Sequence, residues 1–184
     1  MSRAYRVVVT GVSESIERVE HLEDGVCGSL DLLPILPRER MQKLLSDELS
    51  KRGFKVEGQI AKKEHKPGIT VEVDLDHSSV TVRAEGELAL NLRKEVQVDE
   101  RIAASAQAQI RSQLEEEASA RVERGRQSLS KQLEGELQDL KGEIDKAVGG
   151  ATAEALKEKA RAMGEIEEMS EDKETGALTI KVKL

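Results

Sequence analysis

Residues Leu114–Gly150 read "LEEEASARVERGRQSLSKQLEGELQDLKGEIDKAVGG". Apolar side chains recur about every four positions, and Glu, Gln, Lys, Arg and Ala fill the intervals. These are good helix formers, and a spacing near 3.6 gathers the apolar positions on one side of a helix. The same period extends upstream through Ile102, Ala106 and Ile110, and runs on through Leu114, Ala118 and Val122. Downstream it continues through Leu129, Leu133, Leu137, Leu140, Ile144 and Val148. A helical region over residues 98–164 follows. A left-handed coiled coil needs steps averaging 3.5, and only Leu133–Leu137–Leu140–Ile144 approaches that. The stripe therefore drifts around the helix, as in a helix that bends or changes partner along its length.

Upstream the period is two. "YRVVV" suits a strand with Gly11 as a bend, and "SIERVEHL" continues it. "EDG" at Glu23–Gly25 signals a turn, after which Val26, Gly28, Leu30 and Leu32 share one strand face. Pro34 and Pro37 end that run, and Pro37 fits the first turn of a helix. In "RERMQKLLSDELSKRG" the residues Met41, Leu44, Leu45 and Leu49 lie at helical spacing, with Gly53 placed to cap the C-terminus. "FKVEGQI", "ITVEVDL" and "VTVRAEGELALNL" then read as three strands joined by the turns "HKPG" and "DHSS". Residues 1–97 thus form an antiparallel α+β module with one helix packed on the sheet. At the other end, residues 165–184 read as a β-hairpin returning to a sheet, with Leu178, Ile180, Val182 and Leu184 on one face.

The long region poses a geometric question. From Val98 to Val148 a straight helix is roughly 75 Å long, whereas a module of about 100 residues has a radius of gyration near 13 Å. A helix resumed after Gly149–Gly150, the best break, returns only about 18 Å. Yet a lone two-stranded hairpin is marginal in water. Two routes resolve this. The chain folds back near Gly125 into a helical hairpin, which the need to return the tail favours, or a long helix pairs with another copy as a homodimer.

Composition narrows the functional classes. Charged residues make up 35% and aromatic residues 1%, against about 25% charged in an average domain. The core is therefore aliphatic, and only Tyr5 and Phe54 offer rings for stacking on nucleic-acid bases. The three regions carry net charges of −2, −2 and −3, making up the overall −7. No region has the basic footprint of a nucleic-acid binder. The single cysteine, Cys27, suits a reducing compartment. Neither a signal-peptide pattern nor an apolar stretch long enough to span a membrane occurs. The expected location is cytoplasmic.

Candidate chemistry is sparse. Asp74, Asp76 and His77 in "DLDHSS" bring oxygen and nitrogen ligands close enough to suit a divalent metal. The competing reading is a solvated strand face followed by a polar turn. Cys27 is a nucleophile if a nearby His, such as His21 across the expected turn, depresses its pKa. Otherwise it is an inert small side chain. The carboxylates of "LEEE" and "EIEEMSEDKE" are explained by exposed helix and turn surfaces. No phosphate-binding glycine loop is present, and no metal or cofactor is expected. The remaining feature is the apolar stripe, either plain internal packing or a surface for a second copy or another protein.

The segments "SRAYRVVV", "EDGVCGSLDLLPILPRERMQKLLSDELSKRGF", the long Glu/Leu/Arg helix, "TAEALKEKA" and "EMSEDKETGALTIKV" together resemble a bacterial family whose members accompany FtsH-like AAA+ ATPases in multi-gene, ternary systems of a defence or stress type. The likeness runs over nearly the whole chain. Gly149–Gly150 departs from the unbroken helix the family would carry there. The resemblance implies an accessory component without an activity of its own, and assigns no functional residues. The expectation is thus a non-enzymatic cytoplasmic adaptor or scaffold whose protein partner is an AAA+ ATPase. Docking would centre on Leu133, Leu137, Leu140 and Ile144. The alternatives are a metal-dependent or thiol enzyme using Asp74, Asp76 and His77 or Cys27, and a self-assembling structural protein.

Overall fold

The structure, a computed structural model, describes residues 8–171 and 178–183. The described chain is α+β. Strand β1 (Val9–Ser29) is followed by helix α1 (Arg38–Lys51) and strands β2 (Lys55–Glu57), β3 (Ile60–Lys66), β4 (Ile69–Asp74) and β5 (Ser79–Asp99). A 3-10 turn at Glu100–Ile102 then leads into helix α2 (Ala103–Met163), and β6 (Glu165–Glu171) and β7 (Leu178–Lys183) close the chain. The five-stranded sheet has the order β1-β5-β4-β3-β2, and β6 pairs with β7 in a two-stranded sheet. β2–β3, β3–β4 and β4–β5 are antiparallel, with Val71 opposite Val82 and Val73 opposite both Ala61 and Val80.

The chain divides into two compact units, Met1–Asp24 with Glu85–Gln132 and Gly25–Ala84 with Leu133–Leu184. In the first, a core of Val12, Leu90, Leu92, Ile110, Leu114 and Ala118 joins the strands to the first half of α2. Here the i, i+4 stripe finds its partner, because alternate strand positions present one apolar face. At the edges of this core Arg18 Nη1 meets Glu115 Oε2 at 3.2 Å, Gln107 donates to Glu14, and Ser130 donates to Asp24.

The second unit holds the sheet core of Ala61, Ile69, Val71, Val73, Val82 and Ala84, and α1 buries Met41, Leu44, Leu45 and Leu49. Pro37 occupies the N-cap position of α1. At the other end Gly53 takes φ +85°, its N–H bonds to Ser50 O at 3.0 Å, and the Phe54 N–H bonds to Leu49 O at 3.1 Å. This is the paired C-terminal cap that a glycine in the left-handed region permits. The second half of α2 runs antiparallel to α1. Arg40 Nε bonds Glu158 Oε2 at 2.9 Å, Gly150 lies against Glu48, and Arg52 Nη2 bonds Lys146 O at 3.1 Å. Ala147, Ala151 and Ala155 are fully buried on this stretch.

Several local expectations are corrected. β1 runs through Glu23–Gly25 without a turn. Gly25 meets the neighbouring strand instead, and a Cβ there would lie 3.1 Å from Val82 O. "FKVEGQI" is two strands, because Gly58 at φ +61° opens a two-residue turn between β2 and β3. β5 continues through Val98 to Asp99, whose side chain accepts from the Arg101 N–H and caps the 3-10 turn.

The fold-back at Gly125 and the break at Gly149–Gly150 do not occur, since α2 is helical from Ala103 to Met163. Both sites owe their glycine to close packing. A Cβ on Gly125 would sit 2.8 Å from Leu22 Cδ1, and one on Gly150 would sit 2.5 Å from Glu48 Oε2. No reversal is needed, because β1 and β5 are each 21 residues long and each half of α2 meets a strand face within its own unit. Tyr5, residues 172–177 of the expected hairpin and Leu184 lie outside the described residues. No helix among the described residues is long and apolar enough to cross a membrane.

Candidate functional site

Three of the four stripe residues singled out in the sequence are buried by the chain itself. Leu133 is 1%, Leu140 2% and Ile144 5% exposed, while Leu137 is half-buried. Leu137, Leu140 and Ile144 face a cavity of about 350 Å³ in the second unit, and Leu133 does not line it. The stripe is therefore packed at Leu133, Leu140 and Ile144, and Leu137 borders open space here.

The opposite wall comes from the end of β1 and the start of β5, chiefly Val26, Gly28, Val80 and Val82. Period-two alternation puts Val26 and Gly28 on the same side of β1, and Val80 and Val82 on the same side of β5. Val26 is 46% exposed despite its aliphatic side chain. Beyond Ser29 the Leu30 N–H bonds Ser78 O at 2.7 Å, and the chain departs toward the prolines. Strand β1 ends at this point, which leaves the cavity open to solvent beside Asp31.

Charged groups stand at the same opening: Asp31 after β1, and Lys141 and Asp145 on α2. Sequence reading did not single them out. The available signal was their placement, since Lys141 and Asp145 are one helical turn apart and follow Leu140 and Ile144 directly. On the side of α2 that meets β3 and α1, by contrast, the carboxylates are engaged. Glu136 accepts from Lys66 Nζ at 2.6 Å and meets His65 Nε2 at 3.2 Å, Glu143 pairs with Lys63, and Glu158 pairs with Arg40. The hydrogen bond from Lys66 is the main reason the Glu136 carboxyl lies below its ordinary range, against the opposing effect of burial. Arg40 has the same effect on Glu158. Lys63 Nζ also lies 5.3 Å from the centre of the Phe54 ring, within cation–π reach.

Asp74, Asp76 and His77 do come together, as one tight turn. Asp74 Oδ1 accepts from the Asp76 and His77 N–H groups at 2.8 and 3.0 Å, and Asp74 Oδ2 meets His77 Nδ1 at 2.7 Å. The backbone bond from His77 leads in lowering the Asp74 pKa, and the side-chain bond to Asp74 raises that of His77. Asp76 is not on the strand face with Asp74. It lies in the turn, where Arg38 Nη2 meets its Oδ1 at 2.7 Å, and Gln42 donates to Leu75 O at 3.1 Å. This arrangement ties the start of α1 to the β4–β5 turn. Cys27 is exposed and accepts from Thr81 Oγ1 at 3.6 Å. Without the expected turn, His21 and Cys27 are not brought face to face. His21 Nδ1 instead lies 3.5 Å from Glu87 Oε1.

The comparison with curated proteins finds no match, and neither does that with solved structures. A family model, described as FtsH ternary system domain X5, matches residues 1–184. The match spans every element described above, and the chain belongs to the FtsH ternary system domain X5 family.

Proposed function

We propose that the chain is a non-enzymatic adaptor or scaffold of an FtsH-type ATPase system, working in the cytoplasm through contact with a protein partner. The observation that carries this reading is the match to an FtsH ternary system domain over the full length of the chain. The burial of the stripe supports a docking point away from most of its residues. Leu133, Leu140 and Ile144 are already buried, so docking centres on the cavity, at Leu137 and Val26. Burying apolar surface there contributes about 25 cal/mol per Å².

The test is affinity purification of the tagged chain from its own cells, with mass spectrometry of what accompanies it. A stoichiometric ATPase is the expected result. Recovery of the bait alone, at a mass above monomer, would favour self-assembly and sink the adaptor reading.

A further inference from the structure

We propose that the cavity at the end of β1 receives an extended peptide segment of a protein partner, with one apolar side chain in the cavity and a basic residue beside it. This rests on the adaptor reading and specifies the chemistry of its partner.

Three observations converge. First, β1 is the terminal strand of its sheet among the described residues. Along Val26–Ser29 the backbone edge away from β5 is a template for one more strand, and such pairing supplies affinity regardless of sequence. Second, the cavity beside that edge has apolar walls and about 350 Å³, at the lower end of the roughly 300–1,000 Å³ of ligand pockets. That suits a single large side chain better than a whole helix. Every second residue of an added strand points the same way, so one anchor enters and its neighbour two positions along reaches the opening.

Third, the charges at the opening are uneven. Asp31, Asp145 and Lys141 line it, and among the described residues none is in an ion pair. Two carboxylates thus face one ammonium. The carboxylates of α2 on the β3 and α1 side each hold a cation of this chain, whereas those at the cavity are left for a cation from elsewhere. Charge of this kind at the edge of a contact selects partners and steers encounter. The favoured residue beside the anchor is therefore Lys or Arg.

The full chain, labelled, is applied to an array of eight-residue peptides with acetylated and amidated ends. These vary the anchor and the residue two positions from it. Peptides with a Leu, Ile or Phe anchor and a Lys or Arg neighbour are expected to bind, and their Glu counterparts to bind about tenfold more weakly. The double variant Asp31→Lys, Asp145→Lys changes two exposed positions, so it folds as the parent does, checked by its melting curve. It should reverse the preference. A preference that survives the reversal overturns the proposal, as does an array without binders. A chain that sediments as a dimer, and as a monomer once Val26→Arg is made, places a second copy on this edge and overturns it too. The two readings fail separately. An ATPase recovered equally by the parent and the double variant removes this site alone. An array preference without a co-purifying ATPase removes only the ATPase.

Discussion

Gly150 of α2 lies directly against the side chain of Glu48 on α1. A Cβ at position 150 would stand 2.5 Å from Glu48 Oε2 and 2.8 Å from its Cδ. Glu48 is 8% exposed and holds both Lys51 and Arg52, so its carboxylate cannot swing aside without loosening two ion pairs. Gly150→Ala should therefore lower stability by about 1–2 kcal/mol, although Ala gains about 1 kcal/mol of helix propensity. Gly149→Ala meets nothing within 4 Å and should raise stability by about 1 kcal/mol. Urea midpoints of both variants check this. Adding Glu48→Ala should recover much of the Gly150→Ala loss, since residues in contact do not behave additively.

The continuity of α2 gives a second expectation. Arg126 is exposed in the helix interior, one residue beyond the site where a reversal was anticipated. Arg126→Pro should cost about 3 kcal/mol or more, through a lost backbone bond and a ring clash. A loop at this position would absorb the proline with little change. Denaturation midpoints and the helical circular dichroism signal distinguish the two.

Acid should weaken the second unit. Glu136 and Glu158 have folded pKa values below their ordinary one, mainly through hydrogen bonds from Lys66 and Arg40. Such groups bind fewer protons folded than unfolded, so the stability they add is fully present above the unfolded carboxylate pKa. It is lost as pH falls through their depressed folded values. Melting temperature should therefore fall as pH drops from 5 toward 3 (~5 and ~3, the carboxylate range). In Glu136→Gln the fall should be shallower. An identical profile in parent and variant would rule out a role for Glu136.

Much of this architecture is legible in the sequence, for identifiable reasons. α1 announces itself through Met41, Leu44, Leu45 and Leu49, and β4 through the alternation of Ile69, Val71 and Val73, because local period and burial agree there. Glycines were the main source of error. Gly25, Gly125 and Gly150 each suggest a break, yet each marks a place where another element packs closely against the backbone. Only the tertiary fold reveals that difference. Gly58 was the reverse case, a real turn hidden in an apparently continuous strand. At the candidate site, the α2 wall could be read from Leu137, Leu140 and Ile144. The facing wall of Val26 and Val80 could not, since it depends on residues far apart in the chain becoming neighbours.

The turn holding Asp74, Asp76 and His77 yields a prediction about roles. Asp76→Ala removes the partner of Arg38 and one tie between α1 and the β4–β5 turn. The pair is solvent-exposed, so the loss of stability should stay within about 1 kcal/mol. If the chain works as an adaptor, Ala at Asp74, Asp76, His77 and Cys27 should leave its biological activity intact. Loss of that activity in a variant that melts normally would point to chemistry at one of these positions instead.

Neither compact unit is contiguous in the chain. The first needs residues before Gly25 and after Ala84, and the second needs residues on both sides of Glu85–Gln132. During synthesis β1 to β5 emerge first, and the helix that covers their apolar faces emerges after them. Local hairpins such as β3–β4 can form early. The first core cannot close before the first half of α2 has left the ribosome, nor the second before the rest has, so the nascent chain carries uncovered aliphatic strands for most of its translation. Unfinished sheets of this kind invite aggregation. A chain truncated within α2 should therefore be a substrate for chaperones and proteases, not a smaller working version of the protein.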